Sequence, residues 1–132
     1  MPLNIVLDTN IWVSYFINAR ADYLVKWILN HDIAVFTSDE LIEELDEVLR
    51  RPKFKTVIPV DDFVELHKKV CTRIKVITVF DEAPDPEDNF LFDLCMESNA
   101  EYLITSDKKL LNYSPPFDLS IISFNQIRSL VG

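Results

Sequence analysis

The chain has 132 residues, 48% of them hydrophobic, and a net charge of −9 from 22 acidic and 13 basic side chains. That length predicts one domain across residues 1–132, able to bury roughly two thirds of its unfolded surface without disulfides or metals to staple it. The acidic balance argues against a protein that coats nucleic acid by neutralising phosphates, but not against an enzyme whose carboxylates recruit positive charge as metal ions.

The one glycine is the terminal Gly132. The P-loop, the dinucleotide fingerprint and the kinase loop all need internal glycines, so these phosphate cradles are excluded. Cys71 and Cys95 fall in helix-like apolar segments and read as two buried thiols of a reducing compartment. No apolar run approaches the ~20 residues of a membrane helix, and the first residues lack a signal-peptide pattern. A cytoplasmic location is the expectation.

In chain order, Leu3-Asn4-Ile5-Val6-Leu7 reads as a buried strand that delivers one carboxylate, Asp8, at its end. Residues 11–16 suit a short helix capped by Asn10. Leu24, Trp27, Ile28 and His31 recur at helical spacing, which predicts a helix over about 21–30. Residues 34–36 form a short strand. Thr37 with Glu40 three residues later resembles a capping box, opening a helix to about Leu49 that Arg50-Arg51-Pro52 ends. The stretch 53–60 is ambiguous, and Pro59 argues against a central strand there. Asp61 or Asp62 caps the next helix, with Phe63, Leu66, Val70 and Ile74 as its apolar face. Residues 76–80 read as a strand, 81–87 as an acidic loop punctuated by Pro84 and Pro86, and 88–98 as a helix. Then follow a strand over 102–105, one helical turn over 108–111, a break at Pro115-Pro116, a strand over 119–122 and a helix over 125–131. Strands alternate with helices throughout, which predicts an α/β fold with a mostly parallel sheet.

Helical phase sorts the acids. Leu41, Ile42, Leu45, Val48 and Leu49 make one stripe; Glu43 and Glu47 lie opposite it, and Glu44 lies at its edge. Glu44 then either leans into a cleft or snorkels to water. Asp88 shares a face with Leu91, Phe92 and Cys95, so it points inward from a helix start, as a functional group or a plain cap. Asp85 and Glu87 are nearby alternatives, whereas Asp93 and Glu97 phase towards solvent. Asp107 repeats the pattern of Asp8, an aspartate at the end of an apolar strand, and can equally be a turn residue. Convergence favours function: Asp8 and Asp107 follow two strands, and Asp88 opens the helix feeding the second. Carboxylates meeting at one edge must raise their pKa values or hold a cation. An all-oxygen set suits Mg²⁺ or Mn²⁺. His31 and His67 lack any zinc or nucleophile spacing and read as structural or surface groups.

Asp8-Thr9-Asn10 after a strand, Glu44 in Leu41-Ile42-Glu43-Glu44-Leu45, Asp88 in Asp85-Pro86-Glu87-Asp88-Asn89 and Asp107 in Thr105-Ser106-Asp107 resemble the acidic constellation of PIN domains. The nearest kind is the VapC-like toxin nucleases of bacterial and archaeal toxin–antitoxin systems. Leu49-Arg50-Arg51-Pro52-Lys53-Phe54 also resembles a stretch common in one branch of PIN-domain toxins. The resemblance implies a three-layer α/β/α sandwich and a Mg²⁺- or Mn²⁺-dependent ribonuclease site. It makes Asp8, Glu44, Asp88 and Asp107 the metal-binding quartet, with Thr9, Asn10 and Thr105 or Ser106 as polar supports. It further implies an RNA substrate, a cognate antitoxin and a homodimer. Substrate grip falls to Arg20, Lys26, Lys53, Lys55, Lys108 or Lys109. The alternatives are a non-catalytic PIN-like module that recognises a basic partner through its acidic surface, and a phospho-acceptor domain using Lys108 or Lys109.

Overall fold

The computed structural model describes residues 2–56, 58–77 and 79–132. β1 (Leu3–Leu7) leads into α1 (Thr9–Ile17) and α2 (Ala21–Asn30), then β2 (Ile33–Thr37) and α3 (Asp39–Leu49). The short α4 (Pro52–Lys55), α5 (Val60–Val70) and the two-residue β3 (Thr72–Arg73) follow. A 3-10 turn (Pro86–Asp88) opens α6 (Asn89–Ser98), and β4 (Tyr102–Ile104), α7 (Lys108–Leu111), β5 (Ser120–Ile122) and α8 (Phe124–Val131) complete the chain.

The five strands form one sheet in the order β3-β2-β1-β4-β5, and every pairing is parallel. β1 is central, and the alternation of its side chains explains why. Ile5 and Leu7 join a core with Trp12, Phe16 and Leu24 on one face, while Val6 joins Leu91, Phe92 and Leu103 on the other. Ile5, Val6 and Leu7 are wholly buried, worth about 1.5–3 kcal/mol each. That burial carries the strand, and with it the carboxylate at its end, into the middle of a helix–sheet–helix sandwich, as expected for the α/β/α fold.

The chain leaves β1 towards β2 on one side and returns to β4 on the other. The carboxyl ends of β1 and β4 therefore flank the point where the strand order reverses, the usual place for a ligand crevice in such sheets. Register makes the neighbours specific. Leu7 pairs with Ile104, so Asp8 and Thr105 emerge side by side.

Several boundaries differ from the sequence reading. α1 begins at Thr9 with Asp8 in the cap position, so Asn10 lies inside the first turn and is not the cap. Ser38, not Thr37, caps α3 by accepting the Leu41 N–H at 3.3 Å; Thr37 is still the last residue of β2. Pro52 does not merely end α3; it starts α4, where its fixed φ and missing N–H cost nothing. α5 starts at Val60 after Pro59, with neither Asp61 nor Asp62 as cap, and it buries Val60, Val64 and His67; Ile74 lies beyond its end.

The strand expected over 76–80 is absent among its described residues, while Thr78 lies outside them. Edge pairing is made earlier, at Thr72–Arg73. Further on, the Phe80 N–H is satisfied by the Asp93 carboxylate rather than by a strand. Asp93 is therefore half-buried, which corrects its assignment to solvent. Both cysteines are free thiols, with Cys95 buried and Cys71 partly so.

Candidate active site

Asp8 sits where β1 ends and α1 starts, only 7% exposed. Its backbone N–H donates to the Ile104 carbonyl at 2.8 Å, tying it to the end of β4. Although it holds the cap position, its side chain makes no capping bond. Instead its Oδ2 accepts the Thr105 hydroxyl at 2.7 Å. The same Thr105 oxygen accepts the Asp107 N–H at 3.0 Å. One fully buried threonine thus fixes two aspartates from two strands relative to each other. Ser106 is exposed and outside this relay; of the two residues the sequence left open, Thr105 is the one bonded to Asp8.

Glu44, half-buried on α3, has Oε2 2.7 Å from the Thr9 hydroxyl that donates to it. Thr9 is the residue after Asp8 and is itself buried, so the α3 acid is pinned to the head of α1. Asp88 ends the 3-10 turn and holds the cap position of α6, again with no side-chain capping bond. Asp85 is occupied in accepting the Glu87 N–H at 3.0 Å. Asp107 does serve as a cap, its Oδ1 accepting the Lys109 N–H at 2.9 Å, while half-exposed beside the others.

All four acids, with Thr9 and Asn10, line a single cleft of about 380 Å³. Burial raises the Asp8 carboxyl to about 6; the charges of Asp88 and Glu44 push the same way, and the Thr105 bond opposes them. Asp88 is also raised to about 6, by desolvation and then by Asp85, Asp107, Glu44 and Glu87. The cleft is a cluster of mutually repelling oxygens with too little positive charge nearby.

The donor chemistry fits a hard divalent cation, since every donor is oxygen. A further observation agrees: the buried Asn10 Oδ1 in the same cleft has no hydrogen-bond partner among the described residues, and an orphaned acceptor of this kind is costly. The four acids nonetheless stand apart. Among the described residues, no three His, Cys, Asp or Glu side chains form a ready metal cage.

The histidines lie elsewhere. His67 is fully buried, its Nε2 2.8 Å from the Thr37 hydroxyl and its ring edge-on to Trp12. Burial lowers its pKa to about 3, so it is neutral. His31 has Nδ1 2.7 Å from the Trp27 carbonyl.

The cleft has a second wall that the sequence reading missed: Val13, Ile17 and Val48, with Arg51 as its cation. The signal was available in spacing. Val48 stands four residues after Glu44, on the same helical face, while Arg51 lies beyond the end of α3. Arg51 reads in the sequence as part of the Leu49-Arg50-Arg51-Pro52-Lys53-Phe54 stretch and as the approach to a helix-ending proline, and neither reading puts it in the cleft.

A sequence-family model described as PIN domain matches residues 4–109. Among solved structures, the fold is similar to VapBC2 from Rickettsia felis, bound to a DNA fragment from its promoter. That match has a TM-score of 0.62 and 17% identity, and covers 92% of this chain and 98% of that one. PAE2754 from Pyrobaculum aerophilum gives 0.63 and 14%, covering 97% and 88%. The PIN domain endonuclease Utp24 gives 0.53 and 16%, covering 92% and 85%. At such identities the likeness is one of fold. No curated protein sequence matches.

Proposed function

The chain belongs to the PIN domain family, and from that premise we propose that it is a metal-dependent endoribonuclease, one domain over residues 1–132. Asp8, Glu44, Asp88 and Asp107 would hold one or two Mg²⁺ or Mn²⁺ ions. The observation that carries the reading is the convergence of these acids in one cleft at the β1/β4 crossover point. The likeness in fold to an endonuclease supports it.

When bound, such ions supply positive charge for a phosphodiester transition state and activate water without a histidine base. The protein's part is orientation. Thr105 aims Asp8 and fixes Asp107 beside it, and Thr9 aims Glu44, as ligand or as a base acting through water. Hydroxyls that orient metal-binding carboxylates are worth about 10–100-fold in affinity or activity. With Asp8 and Asp88 near 6, both are largely ionised at neutral pH and compete poorly for the ion below it.

The biological setting we propose is that of a toxin held by a cognate antitoxin, acting on RNA as a homodimer in the cytoplasm. Its support is the fold shared with VapBC2 and, among the described residues, no helix long and apolar enough to cross a membrane.

The test is cleavage of a mixed RNA pool in Mn²⁺ by the parent and Asp8→Asn proteins side by side. Asp8→Asn keeps the shape and should lose at least about a hundredfold in rate, given that metal charge stabilisation is worth several kcal/mol. Equal rates for the two proteins would reject the assignment. A parent that neither cleaves RNA nor gains thermal stability from Mn²⁺ would favour the non-catalytic acidic module.

A further inference from the structure

Among the described residues, Arg51 is the one basic side chain that lines the cleft of the four acids. Its neighbour Arg50 is consumed by Asp46 and Asp61, and Arg73 by Asp39. Arg51 forms no ion pair among the described residues. Yet it borders two hollows rich in carboxylates, the cleft of the four acids and an adjoining groove of about 400 Å³ lined by Glu43, Glu47 and Glu87. A cation between acids that engages none of them is held for something else, or is held there by its backbone.

The backbone is indeed held. Proline at position 52 bars the helical conformation from the residue before it, and Arg51 is extended, with φ −58° and ψ 144°. Its N–H donates to the Val48 carbonyl at 3.2 Å, and its own carbonyl accepts from Phe54 at 2.9 Å and Lys55 at 3.1 Å. A corner fixed by these bonds between α3 and α4 therefore presents an exposed Arg51 to the cleft. Beside it, Val13, Ile17 and Val48 offer an apolar wall. A guanidinium is the natural donor for a phosphate oxygen, and an apolar wall suits the face of a nucleobase.

We propose that Arg51 is a positioning residue that grips a phosphate of single-stranded RNA next to the one being cut, the adjoining base lying against Val13, Ile17 and Val48. The inference rests on the ribonuclease reading. It requires a strand that extends at least one phosphate beyond the scissile bond, with the adjoining base unpaired so that its face is free for such a wall.

The experiment measures binding of a fluorescent single-stranded RNA, in Mn²⁺, to Asp8→Asn and to Asp8→Asn combined with Arg51→Ala, over a range of salt. Loss of one phosphate contact should weaken binding about tenfold and lower the slope of log affinity against log salt by about 0.7. Combined with Lys69→Ala, an exposed side chain on α5 that does not line the cleft, the same change in charge should leave the slope unchanged. Arg51→Lys should restore part of the affinity. An unchanged slope in the Arg51→Ala combination overturns the proposal, as does equal weakening by Lys69→Ala, since that would mean bulk charge rather than a contact. Because binding is read without cleavage, the outcomes separate. A parent that binds RNA through Arg51 but does not cut it would sink the ribonuclease reading, whereas a parent that cuts RNA with no dependence on Arg51 would sink only this one.

Discussion

The tripeptide Thr-Ser-Asp stands at the carboxyl end of a parallel strand twice, as 37–39 with Thr37 closing β2 and as 105–107 after β4. The two copies do different work. At the end of β2, Thr37 bonds to neutral His67, Ser38 caps α3, and Asp39 pairs with Arg73 at the surface. After β4, Thr105 bonds to Asp8, Ser106 is exposed, and Asp107 lines the acid cleft. What separates them is the place of the strand in the sheet. β4 lies across the crossover point from β2, so only its tripeptide meets Asp8 where the strand order reverses. An aspartate at a strand end reaches the acid cleft through the place of its strand in the sheet.

The comparison can be broken one position at a time. Thr105→Val removes the hydroxyl that orients Asp8 and should cut RNA cleavage about 10–100-fold. Thr37→Val should leave cleavage within about twofold but destabilise the fold by about 1–3 kcal/mol, because His67 loses its buried partner. Equal losses of activity from the two would end the distinction.

The two regions should also titrate in opposite senses. Asp8 holds its proton more tightly folded, at about 6, than unfolded, near 3.8. Its contribution to stability is complete below pH 4 and is lost as pH rises through 6. His67 holds its proton less tightly folded, at about 3. Its contribution is complete above about 6.5 and is lost as pH falls towards 3. In chelator, thermal melts should therefore show Asp8→Asn flattening the loss of stability on raising pH, and His67→Gln flattening the loss on lowering it. Shifts of the same sign in both variants would contradict these environments.

The serines give the smallest contrast. Ser38→Ala should cost about 1 kcal/mol in denaturant unfolding, as loss of a helix cap does. Ser106→Ala should change neither stability nor cleavage.

Much of this is legible in the sequence. The apolar run before Asp8 had to be a central strand, and the phase of Asp88 against Leu91, Phe92 and Cys95 had to turn it inward. Alternating strands and helices gave the parallel sheet. What was hidden depends on contacts distant in sequence. Nothing local marks Thr9 as the partner of Glu44, 35 residues away, or Thr105 as the partner of Asp8. Residues 76–80 have strand-like chemistry, but at Phe80 a side chain, that of Asp93, takes the backbone N–H. Asn10 looked like a cap because caps are chosen by residue type, whereas the helix start was set by where β1 ended.

The aspartates test the central claim most directly. Asp107→Asn and Asp39→Asn make the same chemical change in the same tripeptide, and both should be assayed for Mn²⁺-dependent cleavage of one RNA pool. Asp39→Asn should cut at nearly the parental rate, having lost only an exposed ion pair, while Asp107→Asn should lose at least about tenfold. Parental activity in both, or equal loss in both, would contradict an active site built at the β1/β4 crossover.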